Sequence, residues 1–197
     1  PGQVTGPDGE QRARARAALG LGEDVPVVLT TARLAPQKGL DLLARTAADL
    51  HRRVPEVCWL IAGDGPLRAE LAAQCEREGL PVRLLGHRSD VPDLLAAADV
   101  VVSTSSWEGQ PLNLQEARRA GRPVVATDVG GTGEVTGEAA RLVPYGDAAA
   151  LAEQISGLLA DPEEAARLGA AARRRAAELP SRADTLAQVQ RCYRQVI

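Results

Sequence analysis

A chain of 197 residues with 45% hydrophobic side chains can bury one sizeable core and is short for two. Its 23 basic and 26 acidic side chains are interspersed and leave a formal net charge of −3, which excludes the large positive field that holds a nucleic-acid backbone. No apolar run approaches the roughly 20 residues of a membrane helix and no signal peptide opens the chain, so a cytoplasmic protein with no membrane insertion by this segment is expected.

Pro stands at position 1 and Met is absent, so the chain is expected to be a piece of a longer protein. Residues 1–9 read as a turn-rich linker, followed by one domain over 10–197 that opens with a helix at about 10–19. Short β-branched runs then alternate with Ala/Leu/Arg-rich segments of helical period. The runs are VVLTTA (27–32), VCWLIAG (57–63), VRLLG (82–86), DVVVST (99–104), PVVAT (123–127) and ARLV (140–143). Helices are expected over 40–53, 66–79, 90–98 and 111–121. Strands that are apolar throughout are buried on both faces, and connections of this length suit crossover helices. The pattern predicts an α/β fold: a Rossmann-like, doubly wound parallel six-stranded sheet with helices on both faces. Three further helices, over 147–160, 162–178 and 182–196, are separated by Asp161-Pro162 and by Pro180 and form a helical C-terminal tail. In the common strand order 3-2-1-4-5-6, strands 1 and 4 are neighbours whose helices leave toward opposite faces. The crevice between their carboxyl ends is then the default ligand site.

Strand 4 runs into EGQPLNLQE, in which Glu108 and Glu116 stand eight positions apart. Pro111 suits the first helical position, and Gly109 lets the chain turn tightly with its backbone open to a ligand. The free N–H groups of Leu112 and Asn113 would form an anion site at the positive end of the helix dipole. Glu116, about a turn and a half further in, could reach a sugar or ribose hydroxyl pair. The competing reading is that Glu108 stabilises the helix start and Glu116 lies on a solvated face.

Strand 1 runs into TARLAPQKG, where Arg33 and Lys38 would approach the same crevice and neutralise a diphosphate, unless they are ordinary surface charges. GDGP (63–66) and VGGTGEVTG (129–137) follow strands 2 and 5, whereas a dinucleotide fingerprint would follow strand 1, so NAD binding is disfavoured. These glycines permit tight turns at strand ends close to a ligand, and Gly63 is counted among the donor-binding candidates. His87 in LLGHRSD lies at the same edge of the sheet and is held only as a possible contact. The cluster Arg173 to Arg175 reads as a solvated helix face. Cys58, Cys75 and Cys192 are odd in number, far apart and in apolar surroundings, which fits reduced cytosolic thiols. With only His51 and His87 to help them, they make no zinc pattern. No D-x-D occurs, so the carboxylate pair that often holds Mg²⁺ on a nucleotide sugar is absent and no metal is expected.

Taken in order, R-x4-K-G (Arg33, Lys38, Gly39), GDGP, the LLG turn, E-G-x-P within E-x7-E, and AGRPVVATDVGGTGE resemble the C-terminal, donor-binding domain of retaining GT-B glycosyltransferases, most closely glycosyltransferase family 4. The resemblance runs from about residue 10 to the terminal helix. It implies that Arg33 and Lys38 hold the donor diphosphate, aided by the backbone after Gly109 through Gln110, Pro111, Leu112 and Asn113. Glu116 would take the ribose hydroxyls and Glu108 the hydroxyls of the transferred sugar near its anomeric carbon. The loop of Gly86, His87 and Arg88 would border the base.

The implied reaction is transfer of a hexose from a nucleoside diphosphate sugar with retention, metal-independent, the leaving diphosphate taking the acceptor's proton. Glu108, Arg33 and Lys38 would carry the catalysis. The co-substrate is the nucleotide sugar, with no other cofactor. The acceptor site, and any peripheral membrane contact, would lie on an N-terminal domain outside this chain. Gln110 replaces a residue that is often aromatic or apolar in such families, and Asn113 and Gln115 make this helix start more polar than usual. Both departures bear on sugar preference. Two alternatives stay open: a nucleotide-sugar 2-epimerase-like GT-B domain, and a non-catalytic nucleotide-binding module.

Overall fold

The computed structural model describes residues 9–178 and 182–196. Residues 1–8 of the expected linker, and Pro180, lie outside them. In chain order the elements are α1 (Gly9–Ala18), β1 (Val27–Thr31), a 3-10 turn (Pro36–Lys38), α2 (Leu40–Arg53), β2 (Cys58–Ala62), α3 (Arg68–Glu78), β3 (Val82–Gly86) and α4 (Val91–Ala97). There follow β4 (Val100–Ser103), α5 (Leu112–Arg119), β5 (Val124–Thr127), α6 (Thr132–Thr136), β6 (Arg141–Val143), α7 (Ala148–Ala160), α8 (Pro162–Glu178) and α9 (Arg182–Val196). All the expected elements are present, and all but α1, which starts one residue early, fall inside their expected spans. The short helix α6 was not expected. Its sequence TGEVT combines Gly with three β-branched residues, which are weak helix formers. The helix starts where Gly130 and Gly131 pack closely on the backbone of Glu108 and Gly109, and within it the Thr136 hydroxyl donates to Thr132 O at 2.8 Å.

The strands form one parallel sheet in the order β3-β2-β1-β4-β5-β6. Alternation along each strand divides the core between two faces. Val28, Trp59, Ile61, Val100, Val102, Val125 and Val143 pack with residues of α2, α3 and α7. Val27, Leu29, Leu60, Ala62, Val101, Val124 and Ala126 pack with residues of α1, α4 and α5. Each such side chain, fully buried, contributes about 1.5–3 kcal/mol for Val, Leu or Ile, so neither face of the central strands tolerates a polar substitution. The buried indole of Trp59 is satisfied by donating to Thr30 Oγ1 at 3.1 Å, and that hydroxyl donates to Val102 O at 2.9 Å.

The amino ends of β1 and β4 are tied by a charge network. Asp99 Oδ2 accepts from Val27 N at 2.7 Å and from Arg16 Nη2 at 2.8 Å. Arg16 is buried, with its remaining bonds going to the carbonyls of Ala97, Gly22, Glu23 and Val25. Two sequence expectations need correction. Arg173 and Arg175 are half-buried rather than fully solvated, because α8 packs against α5 and α6: Arg173 lies against Gly121, and Arg175 donates to Glu134 O at 3.4 Å. Cys192 is exposed, unlike half-buried Cys58 and buried Cys75, and all three thiols are free. Among the described residues no helix is long and apolar enough to cross a membrane.

Candidate functional site

Three loops meet over the carboxyl ends of β1, β4 and β5, and backbone contact brings them together. Gly39, at φ +59°, lets the loop after β1 close onto β4; a methyl there would stand 2.1 Å from Thr104 O. Thr104 Oγ1 donates to Lys38 O at 2.9 Å, and Ser106 N donates to Gln37 O at 2.9 Å. The Gln37 amide in turn donates to Trp107 O at 3.1 Å. From the other side, Thr127 Oγ1 donates to Ser105 O at 2.6 Å and Gly131 N to Glu108 O at 2.9 Å. A methyl on Gly131 would lie 1.9 Å from Gly109 O, so the paired glycines after β5 are required by close approach to the EGQP loop.

This scaffold buries Glu108 and aims Lys38 at it. Lys38 Nζ lies 2.6 Å from Glu108 Oε1, with side-chain exposures of 19% and 6%. Ser105 Oγ donates to the same oxygen at 2.6 Å, and Ser103 Oγ stands 3.2 Å from Ser105 Oγ. A carboxylate this largely buried is stable only when paired, and removing one partner of such a pair typically costs about 3–5 kcal/mol. Lys38 and Glu108 therefore belong to the crevice between β1 and β4, as their positions after those strands imply.

The glycosyl transferases group 1 family model matches residues 11–175. The chain belongs to that family. It is 36% identical over 180 residues to the GDP-mannose-dependent alpha-(1-6)-phosphatidylinositol monomannoside mannosyltransferase of Mycolicibacterium smegmatis, covering 85% of this chain and 47% of that protein. It is 33% identical to the alpha-D-kanosaminyltransferase of Streptomyces kanamyceticus, covering 78% of this chain and 41% of the relative. It thus spans about half the length of these curated relatives. The structure of Anabaena HepE in complex with UDP-glucose superposes with a TM-score of 0.83 at 28% identity, over 98% of this chain and 54% of HepE. The fold is accordingly that of a C-terminal GT-B glycosyltransferase domain.

Within this group 1 domain the other expected residues are placed unequally. Arg33 is exposed and lines a cavity of about 360 Å³ with Gly63, Asp64, His87, Arg88 and Val91, over the ends of β1 to β3. Gly63 N donates to Gly86 O at 2.7 Å, which joins the GDGP turn to the LLG turn. Arg88 is paired with Asp90, and their side-chain hydrogen bonds raise the arginine's pKa and lower the carboxyl's. His87 is exposed. Pro111 caps α5 rather than occupying its first turn, so the helix begins at Leu112 and the early N–H groups of Leu112 and Asn113 fall outside the intrahelical ladder. Glu116 is exposed on α5, and its side chain, like that of Arg33, makes no hydrogen bond or ion pair among the described residues. Gly109 and Gln110 are exposed at the loop tip.

Sequence reasoning missed Gln37, Ser103, Thr104, Ser105 and Thr127, which hold the charged pair. The available signal was the run STSS ending β4, three of whose four hydroxyl residues are buried.

Proposed function

We propose that this domain holds a nucleoside diphosphate sugar across the carboxyl ends of β1 and β4 and presents its hexose for metal-independent transfer to an acceptor with retention of configuration. The observation that carries the reading is the Lys38–Glu108 pair at the β1/β4 crevice. Relatives named for GDP-mannose dependence or crystallised with UDP-glucose support a nucleotide-sugar ligand and leave the base open.

In this reading Arg33 and Lys38 face the diphosphate. Lys38 spends one N–H on Glu108 and keeps two for phosphate oxygens. The N–H groups of Leu112 and Asn113, at the start of α5 behind Gly109, Gln110 and Pro111, add backbone donors. Glu116 accepts from the ribose hydroxyls and Glu108 from those of the hexose. Gly63, Gly86, His87 and Arg88 border the base. The bond from the anomeric carbon to the β-phosphate oxygen breaks while the acceptor oxygen bonds to that carbon from the same face. The acceptor's proton passes to an oxygen of the departing diphosphate, whose growing charge Arg33 and Lys38 stabilise. The acceptor site is assigned to a further domain of the enzyme, which we place in the cytoplasm in keeping with its unpaired cysteines.

Titration calorimetry on this chain with GDP-mannose, GDP, UDP-glucose, UDP and the bare nucleosides tests the reading. Arg33→Ala is expected to weaken the preferred nucleoside diphosphate by about 1.5–3 kcal/mol, the range for hydrogen bonds to charged groups, and to leave the nucleoside unchanged. Equal losses for both would remove Arg33 from the diphosphate. The positive charge that Mg²⁺ would supply is provided by two side chains, so excess EDTA is expected to leave donor affinity within about twofold, a change below 0.5 kcal/mol. A tenfold or greater loss would show that a metal takes part.

A further inference from the structure

The two hydrogen bonds to Glu108 converge on one oxygen. Oε1 receives Lys38 Nζ and Ser105 Oγ, each at 2.6 Å, whereas Oε2 accepts no hydrogen bond among the described residues and is not sealed from solvent. An ionised carboxylate is acceptor-only, so the proton between Ser105 and Glu108 belongs to Ser105. The 3.2 Å contact between Ser103 and Ser105 then has a direction: Ser105 has no second proton, so Ser103 donates. The result is an ordered chain from Ser103 to Ser105 to Glu108, with both serines buried.

The two partners of Oε1 are not equivalent. Lys38 is a point charge on a flexible stem and restrains the plane of the carboxylate weakly. The terminal torsion of Glu is itself broad. Ser105 has neither freedom. It is 1% exposed, stands two residues past the end of β4, and its own carbonyl is held by Thr127. We propose that Ser105 is a positioning residue for the donor sugar: it fixes the plane of Glu108 so that Oε2 is the oxygen presented to the hexose hydroxyls. The proposal rests on the donor-site reading above and adds that recognition of the sugar, as distinct from the nucleotide, depends on a serine that touches neither.

Calorimetry with GDP-mannose against GDP, and UDP-glucose against UDP, separates the sugar's share of the affinity. Ser105→Ala is expected to leave the free diphosphate within about twofold and to lower nucleotide-sugar affinity by about tenfold, the scale of one charge-assisted hydrogen bond. Ser105→Thr, which keeps the hydroxyl, is expected to recover most of the loss. In a Glu108→Ala background, Ser105→Ala is expected to change nothing further. If Ser105→Ala does not fold, Ser103→Ala removes the donor behind Ser105 and is expected to give a smaller loss confined to the sugar. Equal weakening of diphosphate and nucleotide sugar by the serine variants, or an undiminished Ser105→Ala effect in the absence of Glu108, would overturn the assignment. A wild-type chain that binds none of the four ligands would overturn the donor-site reading itself.

Discussion

Glu108→Ala is expected to erase the extra affinity that a nucleotide sugar has over its free nucleoside diphosphate, and to reduce transfer by the full-length enzyme about a hundredfold or more, the scale for losing one preorganised electrostatic contact to the reacting centre. The free diphosphate is expected to bind as well as before or more tightly. Lys38 loses its only ion-pair partner among the described residues and can turn all its donors to phosphate. Glu116→Ala is the contrast: ribose is common to both ligands, so both should weaken together. Calorimetry and steady-state rates on the two variants separate these outcomes. A Glu108→Ala variant that weakened the free diphosphate as much as Glu116→Ala does would refute the division of roles between the two acids.

The second large effect concerns turnover. The 197-residue chain is expected to bind its donor and to give no measurable transfer. Transfer requires the acceptor oxygen held in near-attack position over the anomeric carbon, and such positioning is worth about 7–11 kcal/mol of the barrier. The proposed diphosphate, ribose and hexose contacts lie on this chain, but no residue of it has been assigned to an acceptor. Exposed Trp107 and Leu112 flank the Glu108 loop, so the crevice faces solvent and lacks the water-excluded setting in which charge stabilisation is strongest. Incubating the chain with its best-binding nucleotide sugar and a panel of acceptors, beside the full-length enzyme, measures the difference. Product from the chain alone at the full-length rate would show that the catalytic apparatus has been misplaced.

The architecture was legible because the period of the sequence changes cleanly. Short β-branched, apolar runs such as VVLTTA and DVVVST read as strands buried on both faces of a doubly wound sheet, and the order of those strands places TARLAPQKG beside EGQPLNLQE. The meeting of Lys38 and Glu108, 70 positions apart in sequence, follows from that topology. What was not legible depends on side-chain direction and close approach. Nothing in STSS distinguishes Ser105, which bonds Glu108, from Ser106, which bonds Gln37 O. Arg16 reads as one more charge in the helix GEQRARARAA, yet it is buried because three carbonyls of the loop that follows α1 converge on it with Asp99 and the Ala97 carbonyl from far along the chain. Helix α6 escaped notice because close packing of Gly130 and Gly131 on the EGQP loop overrides a sequence with little helical preference.

Whether a donor lies across β1 and β4 is decided by a crystal structure of this chain with GDP-mannose or UDP-glucose. Diphosphate oxygens are expected within about 2.7–3.2 Å of Lys38 Nζ and the Arg33 guanidinium, hexose hydroxyls on Glu108 Oε2, and the base beside Gly63 and His87. A diphosphate bound on another face of the sheet, away from Lys38 and Arg33, would contradict that placement.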